Sequence, residues 1–588
     1  MLVPMLKKNK QNNKCGVSTI ITDSKIMKTK MYSLLFVFIL MVVINQAIAQ
    51  SPQWQWSKNS GGSSRDYTGG IATDVSGNIY VAGSFYSTSI NFGTITLTNA
   101  DNTGNTQDIF IVKYDSSGNV IWAKNAGGPT NDDSGASIVT DPIGNIYLAG
   151  SFYSPSINFG TNTLTNTDNT GNTRDIFIVK YDSSGNVIWA KNAGGQKNEG
   201  GAGIVTDASG NVYMTGTFYS PSINFGTNTL TNTDSTGNTC DIYIMKYDSS
   251  GNVLWAKSAG VPGWDYVESI AKDFSGNVYI TGEFGNTPIT FGTITLTNAG
   301  SKDIFIVKYD GSGNVTWAKR AGGTAWDEGN GIFIDTTGNI LLTGYFESST
   351  ISFGTTILSN QGSSDIFIAK YDTSGNVLWA IRAGGTLADE GKKIITDATG
   401  NVYIIGDFAS SSLNIGTTTL TNEGLSDIFI MKYDDTGNPL WAKSVGGSSI
   451  DWGKGIATDA IGNTYIIGEY YYSSIVFGTD TLTNAGYSDI FLAKLNAGVT
   501  NIEEISFTDD CTIFPNPFST QVTLRTKVQL KNATLQVINC LGQTIKEIEN
   551  ISGQTTSLMR DNLETGIYFL RLTQGNKVIT IKKIVIAD

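Results

Sequence analysis

Carboxylates and aromatic rings standing side by side at recurring places are the residues of this chain that could do chemistry. A carboxylate follows shortly after a glycine in each of seven stretches: Asp66, Asp132, Glu199, Asp265, Asp327, Asp389 and Asp451. Beside them stand Trp264, Trp326 and Trp452, with Tyr67 and Tyr266. Flat aromatic faces next to hydrogen-bonding acids suit sugar rings or peptides, so these three Trp, these two Tyr and Asp66, Asp265, Asp327 and Asp451 are the ligand-binding candidates. Two expectations compete for the carboxylates: each accepts backbone N–H groups where a new structural unit begins, or all seven ring a channel mouth. For the Trp residues the alternatives are an exposed binding face and packing between neighbouring loops. Carboxylate-dependent glycoside hydrolysis would need two unequal acids across a cleft. These acids are repeated equivalents, and no catalytic residue is assigned.

Composition removes other chemistries. The 588 residues contain no His, which excludes His-dependent triads, His-ligated zinc and imidazole acid–base steps. Cys15, Cys240, Cys511 and Cys540 are too few and too scattered for a disulfide framework; an oxidising compartment would allow a Cys511–Cys540 bridge. The first 49 residues hold seven Lys and one Asp, and the segment from Ile505 onward holds nine Lys and Arg against seven Asp and Glu. Residues 50–504 therefore carry −20 where the whole chain carries −12. Such a field repels phosphate backbones and anionic lipid surfaces, so nucleic acid is not an expected partner.

The elements that must position the candidates form a repeat. Asp-Ile-(Phe/Tyr) recurs at Asp108, Asp175, Asp241, Asp303, Asp365, Asp427 and Asp489. Trp recurs in register at Trp56, Trp122, Trp189, Trp255, Trp317, Trp379 and Trp441, and Gly-Asn at Gly77, Gly144, Gly210, Gly276, Gly338, Gly400 and Gly462. Each unit reads as four strands, as in Gly70 to Thr73, Asn78 to Phe85, Asp108 to Tyr114 and Val120 to Asn125. Asp74-x-x-Gly77-Asn78 and Asp115-x-x-Gly118-Asn119 are tight hairpin turns, in which Asp accepts local backbone hydrogen bonds and Gly takes the left-handed position. Ile109-Phe110-Ile111-Val112 is apolar at successive positions, so both faces of that strand are buried.

Four-stranded units of about 60 residues packed around an axis make a propeller. The last unit ends at Asp489 to Lys494 without a Trp strand, and the first Trp strand, Trp54 to Lys58, lacks an Asp-Ile-Phe strand before it. Pairing these two orphans closes the ring between the ends of the domain and removes an exposed edge. The expectation is an all-β chain: a seven-bladed propeller of four-stranded antiparallel blades, then a small Ig-like β-sandwich. The variable connections lie on one face. In the first three units they carry an oxygen-rich stretch from Asp101, Asp168 and Asp234. Calcium is one chemistry such loops support; without alternating Asp/Asn ligands and a bidentate Glu, a polar turn is the expectation.

The pattern Asp-x-x-Gly-Asn-x-Tyr-x-x-Gly-x-Phe, as at Asp74 to Phe85, resembles the bacterial seven-bladed β-propeller repeat family over about Trp54 to Asn496. That resemblance implies a fold and no particular ligand. A second resemblance lies at the C-terminal end of the sequence, where Phe514-Pro515-Asn516-Pro517, Leu541-Gly542-Gln543, Leu563-x-x-Gly566-x-Tyr568 and Lys582-Lys583 look like a type IX secretion C-terminal sorting domain. It implies engagement of the type IX machinery and passage across the outer membrane, ending on the cell surface or in the medium.

The other end of the chain agrees with export. Lys28 and Lys30 precede the apolar run Leu34 to Ile44 and the small-residue site Ala47-Ile48-Ala49, a secretory signal peptide cleaved between Ala49 and Gln50. Eleven apolar residues are too few to span a bilayer, and no later segment is long and apolar enough to try. The expected organisation is a misassigned start over 1–26, a signal peptide over 27–49, the propeller over 50–496, a linker over 497–510 and the sorting domain over 511–588. The expected role is a non-catalytic exported module that binds glycan, peptide or matrix. A hydrolase and a structural spacer are the alternatives.

Overall fold

A computed structural model describes residues 52–285, 287–497, 511–539, 544–574 and 577–587. The leader with its Ala49/Gln50 cleavage site, the linker residues 498–510, Cys540 and the Leu541-Gly542-Gln543 motif lie outside the described residues. Two compact units divide the chain, residues 1–499 and 500–588.

The first unit contains no helix among its described residues and is built from seven four-stranded antiparallel sheets. In the first complete sheet the strands run Asp66–Thr73, Ile79–Phe85, Asp108–Tyr114 and Val120–Ala126, from inside to outside. The two middle strands are buried along their whole length, while the outer one is mostly half-buried or exposed. The Asp-x-x-Gly-Asn-x-Tyr spacing has a local cause. Asp74 Oδ1 accepts the N–H groups of Ser76 and Asn78, and its Oδ2 accepts from Asn78 Nδ2 and the Tyr80 hydroxyl at 2.7 and 3.0 Å. Gly77, with φ of +78°, closes the turn where a Cβ would strain the backbone.

Adjacent sheets share apolar cores. Tyr80, Ile109 and Ile111 pack with Ile146, Leu148 and Phe177 of the next sheet, and the pattern recurs around the ring. At the outer edge the Trp122 indole N–H donates to the Ser183 carbonyl of the following sheet at 3.3 Å, and Trp189, Trp255, Trp317 and Trp379 do the same one sheet on each time. The ring closes on itself. Trp54–Ser60 forms the outer strand of the sheet containing Asp451–Thr458, Thr464–Tyr471 and Ser488–Leu495. On the inside, the Thr73 hydroxyl reaches the Thr458 carbonyl at 2.9 Å, and Tyr465, Ile467 and Ile490 complete a core with Ile79 and Phe110.

The inner strand is longer than Gly70 to Thr73. It begins at the carboxylate, Asp66, and a bulge at Gly69 inserts one unpaired residue. The same bulge occurs in all seven inner strands. The seven connections between second and third strands each carry a two-stranded hairpin, as in Ser89–Phe92 with Ile95–Thr98.

The second unit is one five-stranded antiparallel sheet. Its longest strand, Gln521–Ile538, carries several register shifts, and residues of both its halves, Leu524 and Leu535 among them, share a single core with Leu558, Leu570 and Ile584.

Candidate ligand-binding face

The two tight turns of each sheet lie at one end of the ring, so the connections from second to third strand and from sheet to sheet lie together at the other. The blade-opening carboxylates sit beneath that second face and are not open to a ligand. Asp66, Asp265, Asp327 and Asp451 have no solvent exposure. Each accepts a backbone N–H from the turn that enters its sheet, Gly62, Val261, Gly323 and Gly447 at 2.6 to 3.0 Å. In five sheets a buried serine adds a second partner, for example Ser348 Oγ on Asp327 at 2.8 Å. The reading of these four acids as ligand contacts is therefore corrected, and so is the acidic ring at the channel mouth, six of whose seven members are fully buried: a carboxylate that must satisfy buried backbone donors cannot also face solvent. Burial pushes Asp66, Asp265 and Asp451 up to about 7 and Asp327 up to about 6. The second sheet brings a further correction, because the anchoring acid there is Asp133, bonded to Gly128 N and Ser154 Oγ, and not Asp132.

Asp132 instead occupies the place just before the anchor, and that place varies from sheet to sheet: Arg65, Asp132, Asn198, Trp264, Trp326, Ala388 and Ile450. It is held against the residue preceding the third strand of the previous sheet, as in the bridges Cys240–Trp264, Lys302–Trp326 and Arg65–Ser488. The buried acid that follows pins the turn entering each sheet, and in two sheets the residue at this place is an exposed indole. Trp264 is 52% exposed and Trp326 37% exposed. Between them Lys302 Nζ lies 4.1 Å from the Trp326 ring and 4.8 Å from the Tyr266 ring, and bonds Glu283 Oε1 at 3.3 Å. Tyr266 is half-buried and shares a 2.9 Å hydroxyl contact with Tyr219, whose ring stands edge-on to Trp264. Trp452 does not belong with the other two. It lies one position after the anchor, within its strand, half-buried against Tyr471 and Lys454. Tyr67 is its counterpart in the first sheet, edge-on to Tyr86.

The bulge residues of the inner strands bring out groups that sequence reasoning missed. They are Gly69, Ala136 and Ala202 in the first three sheets, then Glu268, Asn330, Lys392 and Lys454. A cavity of about 180 Å³ on the axis is thus small-walled on one side and lined by Glu268, Lys393 and Lys454 on the other. Around it Glu283, Glu328, Glu390, Asp407 and Glu469 come from the same four sheets. Burial, then the neighbouring Glu328, raises Glu268 to about 7, and burial raises Asp407 to about 7 against the pull of Lys392. Burial lowers Lys393. The signal was present in the sequence as one column of the repeat, neutral and small in three units and charged or amide in four.

The Asp101 loop is a self-capped turn. Its two carboxylate oxygens accept backbone N–H groups of Thr103, Gly104, Asn105 and Thr106 at 2.8 to 3.1 Å, which turns donors, not calcium-ligating carbonyls, toward the acid. Among the described residues no group of three or more Asp, Glu or Cys side chains is placed to hold a metal ion.

In the second unit Asn516 clamps the last strand. Its Nδ2 donates to the Lys583 carbonyl at 2.9 Å and its Oδ1 accepts from Val585 N at 2.7 Å. Phe514 is half-exposed, and Pro515 and Pro517 flank the clamp on either side. The Leu563 carbonyl accepts from Arg560 Nε, the Tyr568 hydroxyl donates to the Glu564 carbonyl, and Gly566 opens the following strand. Lys582 and Lys583 lie in the closing strand. Residues 512–587 match the family of secretion system C-terminal sorting domains, and residues 121–151 match the Beta-propeller repeat family.

The chain thus carries a β-propeller repeat and a type IX secretion C-terminal sorting domain. The sorting domain implies that the propeller is exported across the outer membrane. No helix among the described residues is long and apolar enough to cross a membrane. An uncharacterized WD repeat-containing protein of Acanthamoeba polyphaga mimivirus is 27% identical over 441 residues, covering 63% of this chain and 32% of its own length. The regulatory protein FlaEY of Caulobacter vibrioides is 24% identical over 338 residues, covering 54% and 34%. The propeller chain thus spans about a third of the length of these curated relatives. Among solved structures, a fungal alcohol oxidase in complex with copper aligns over 91% of this chain and 100% of its own at 12% identity, with a TM-score of 0.36. A gluconolactonase from Xanthomonas campestris aligns over 60% and 91% at 9% identity, with a TM-score of 0.28.

Proposed function

We propose that the exported propeller is a non-catalytic glycan-binding module whose ligand lies across the variable face at Trp264 and Trp326. One observation carries this reading: two indoles are exposed on loops whose backbones are anchored by fully buried acids, Asp265 and Asp327. Two exposed indoles linked by Tyr219, Tyr266 and Lys302 form a patch rather than scattered single residues, and such patches mark interaction sites. A pyranose ring, apolar on its faces and hydroxylated at its edge, matches a surface of indoles, phenols and Lys302 better than a purely apolar partner does. Peptide and matrix ligands remain the competing occupants of the same face.

The test is retention of the purified full chain on a glycan array and on immobilised polysaccharides. Trp264→Ala and Trp326→Ala should each weaken retention roughly tenfold, about 1.4 kcal/mol, with unchanged melting temperature. Loss of binding only in step with loss of fold would defeat the proposal. A second reading, carboxylate-dependent hydrolysis, is supported by the unequal acids of the axial cluster. Glu268, held near 7 by burial and Glu328, has the protonation a general acid needs. Release of reducing ends that Glu268→Gln abolishes would favour this reading over simple binding.

A further inference from the structure

Five sheets place a fully or almost fully buried serine two residues past the end of the anchor's ladder: Ser87, Ser154, Ser220, Ser348 and Ser410. Its hydroxyl or N–H bonds the blade-opening acid, as Ser87 Oγ does to Asp66 at 3.1 Å and Ser410 Oγ to Asp389 at 2.7 Å. The seventh sheet has Tyr472 at this place. There Tyr472 has φ of +57° and is 61% exposed, and the buried hydroxyl of the next residue, Ser473, lies against Gly447 as Ser87 lies against Gly62. Among the described propeller residues no other side chain larger than Asn adopts a positive φ. Strain of this kind persists where surrounding structure imposes it, and it concentrates at binding sites.

What the strained backbone displays is a platform. The Tyr472 and Tyr487 rings meet edge-on at 4.3 Å, and the Arg65 guanidinium lies 4.3 Å over Tyr487. Tyr487 is itself 38% exposed. Arg65 occupies the same place in the first sheet that Trp264 and Trp326 occupy in theirs, just before the anchoring acid. Tyr86, whose hydroxyl bonds Asp132 Oδ2 at 2.9 Å, and Tyr67 extend the surface inward. Acidic groups lie beside it, Asp132 at Tyr86 and the buried Glu469 near Tyr67, within a strongly acidic propeller. One guanidinium does not overturn that field, so a charged sugar gains little here. A neutral ring that stacks on phenols and shares hydroxyls with Arg65 and Asp132 gains the contacts without the repulsion.

We infer that the junction of the seventh and first sheets is a second sugar site, built on Tyr472, Tyr487 and Arg65 for a neutral pyranose, so that the propeller grips one class of glycan at two places on its face. The inference rests on the glycan reading of the Trp264 face and extends it: two sites give retention on a polymer that neither site gives alone.

Calorimetric titration of the full chain with cellohexaose and with chitohexaose tests it. The expected result is two molecules bound per chain for at least one of them, reduced to one by Tyr472→Ser and by Arg65→Gln, and likewise to one by Trp264→Ala. Tyr472→Ser removes an exposed ring, so its melting temperature should be unchanged. One molecule bound, lost in Trp264→Ala and kept in Tyr472→Ser, overturns the second site and leaves the first. One molecule lost in Tyr472→Ser and kept in Trp264→Ala upholds the second site and removes the first. A fall in melting temperature accompanying the loss in Tyr472→Ser makes Tyr472 a packing residue and overturns the inference. No binding of either hexasaccharide overturns both.

Discussion

Trp56 lies opposite Lys494 in the antiparallel ladder that joins the first described strand of the propeller to its last. Around this pair Ser57 N donates to Asp480 Oδ2 at 3.0 Å, and Trp54 stands edge-on to Phe477 at 4.9 Å. The seal of the ring is thus made by residues from the two ends of the domain, and no local contact can replace it.

Removing residues 52–59 should therefore strip the seventh sheet of its outer strand and lower the melting temperature sharply. Trp54→Ala alone should cost about 2–3 kcal/mol, less than a fully buried aromatic because the ring is half-buried. Urea unfolding of both variants measures this, and an unaltered midpoint would contradict closure through this strand.

The anchoring acids should behave as structural groups. Asp327→Ala leaves Gly323 N and Ser348 Oγ without their buried acceptor and should destabilise by about 1–3 kcal/mol. Glycan retention measured below the lowered transition should stay at the wild-type level, which separates Asp327 from its exposed neighbour Trp326.

Stability should fall as pH rises from about 4 to about 8. Asp66, Asp133 and Glu199 are raised by burial to about 7, 7 and 8, above the ordinary carboxylate range they regain on unfolding. Between those values the folded chain holds more protons than the unfolded one, so the slope of unfolding free energy with pH is negative. The contribution is fully present below the unfolded pKa and is lost through the folded pKa. Melting temperatures recorded at pH 5 and pH 8 should differ by several degrees in favour of pH 5, and the reverse order would refute the assignment.

Export should depend on the second unit. A chain ending before Cys511 should accumulate in the periplasm, where fractionation would find it folded. Asn516→Ala removes both hydrogen bonds to the closing strand; at a solvent-exposed site the loss is about 1 kcal/mol, enough to lower surface delivery without abolishing it.

Much of this molecule is legible in one dimension, because its contacts repeat. The spacing of Asp74, Gly77, Asn78 and Tyr80 is the hydrogen-bond list of a single turn, and seven copies of its Asp-x-x-Gly-Asn core, six of them with the Tyr, announce the sheets, their order and the orphan strands that close the ring. The apolar run Ile109 to Val112 states by itself that the third strand is covered on both faces. The motif Phe514 to Pro517 is equally visible, although its partners Lys583 and Val585 lie at the other end of the unit.

Side-chain direction was decided only in three dimensions. Asp132 and Asp133 are neighbours in sequence, and one extra residue in the entering loop determines which of them is buried as an anchor. Trp326 and Trp452 each touch an anchoring acid in sequence, yet one precedes it and faces solvent while the other follows it and turns into a strand. The bulge that carries Glu268, Lys392 and Lys454 to the axis has no sequence mark of its own, since it arises from the pairing of two strands. Tyr472 reads as one more tyrosine in an aromatic run; only its positive φ and its exposure reveal that it is displayed. Sequence repetition specifies what all seven sheets share, whereas a binding site consists of the places where they differ, and those places acquire meaning only when the ring sets them side by side.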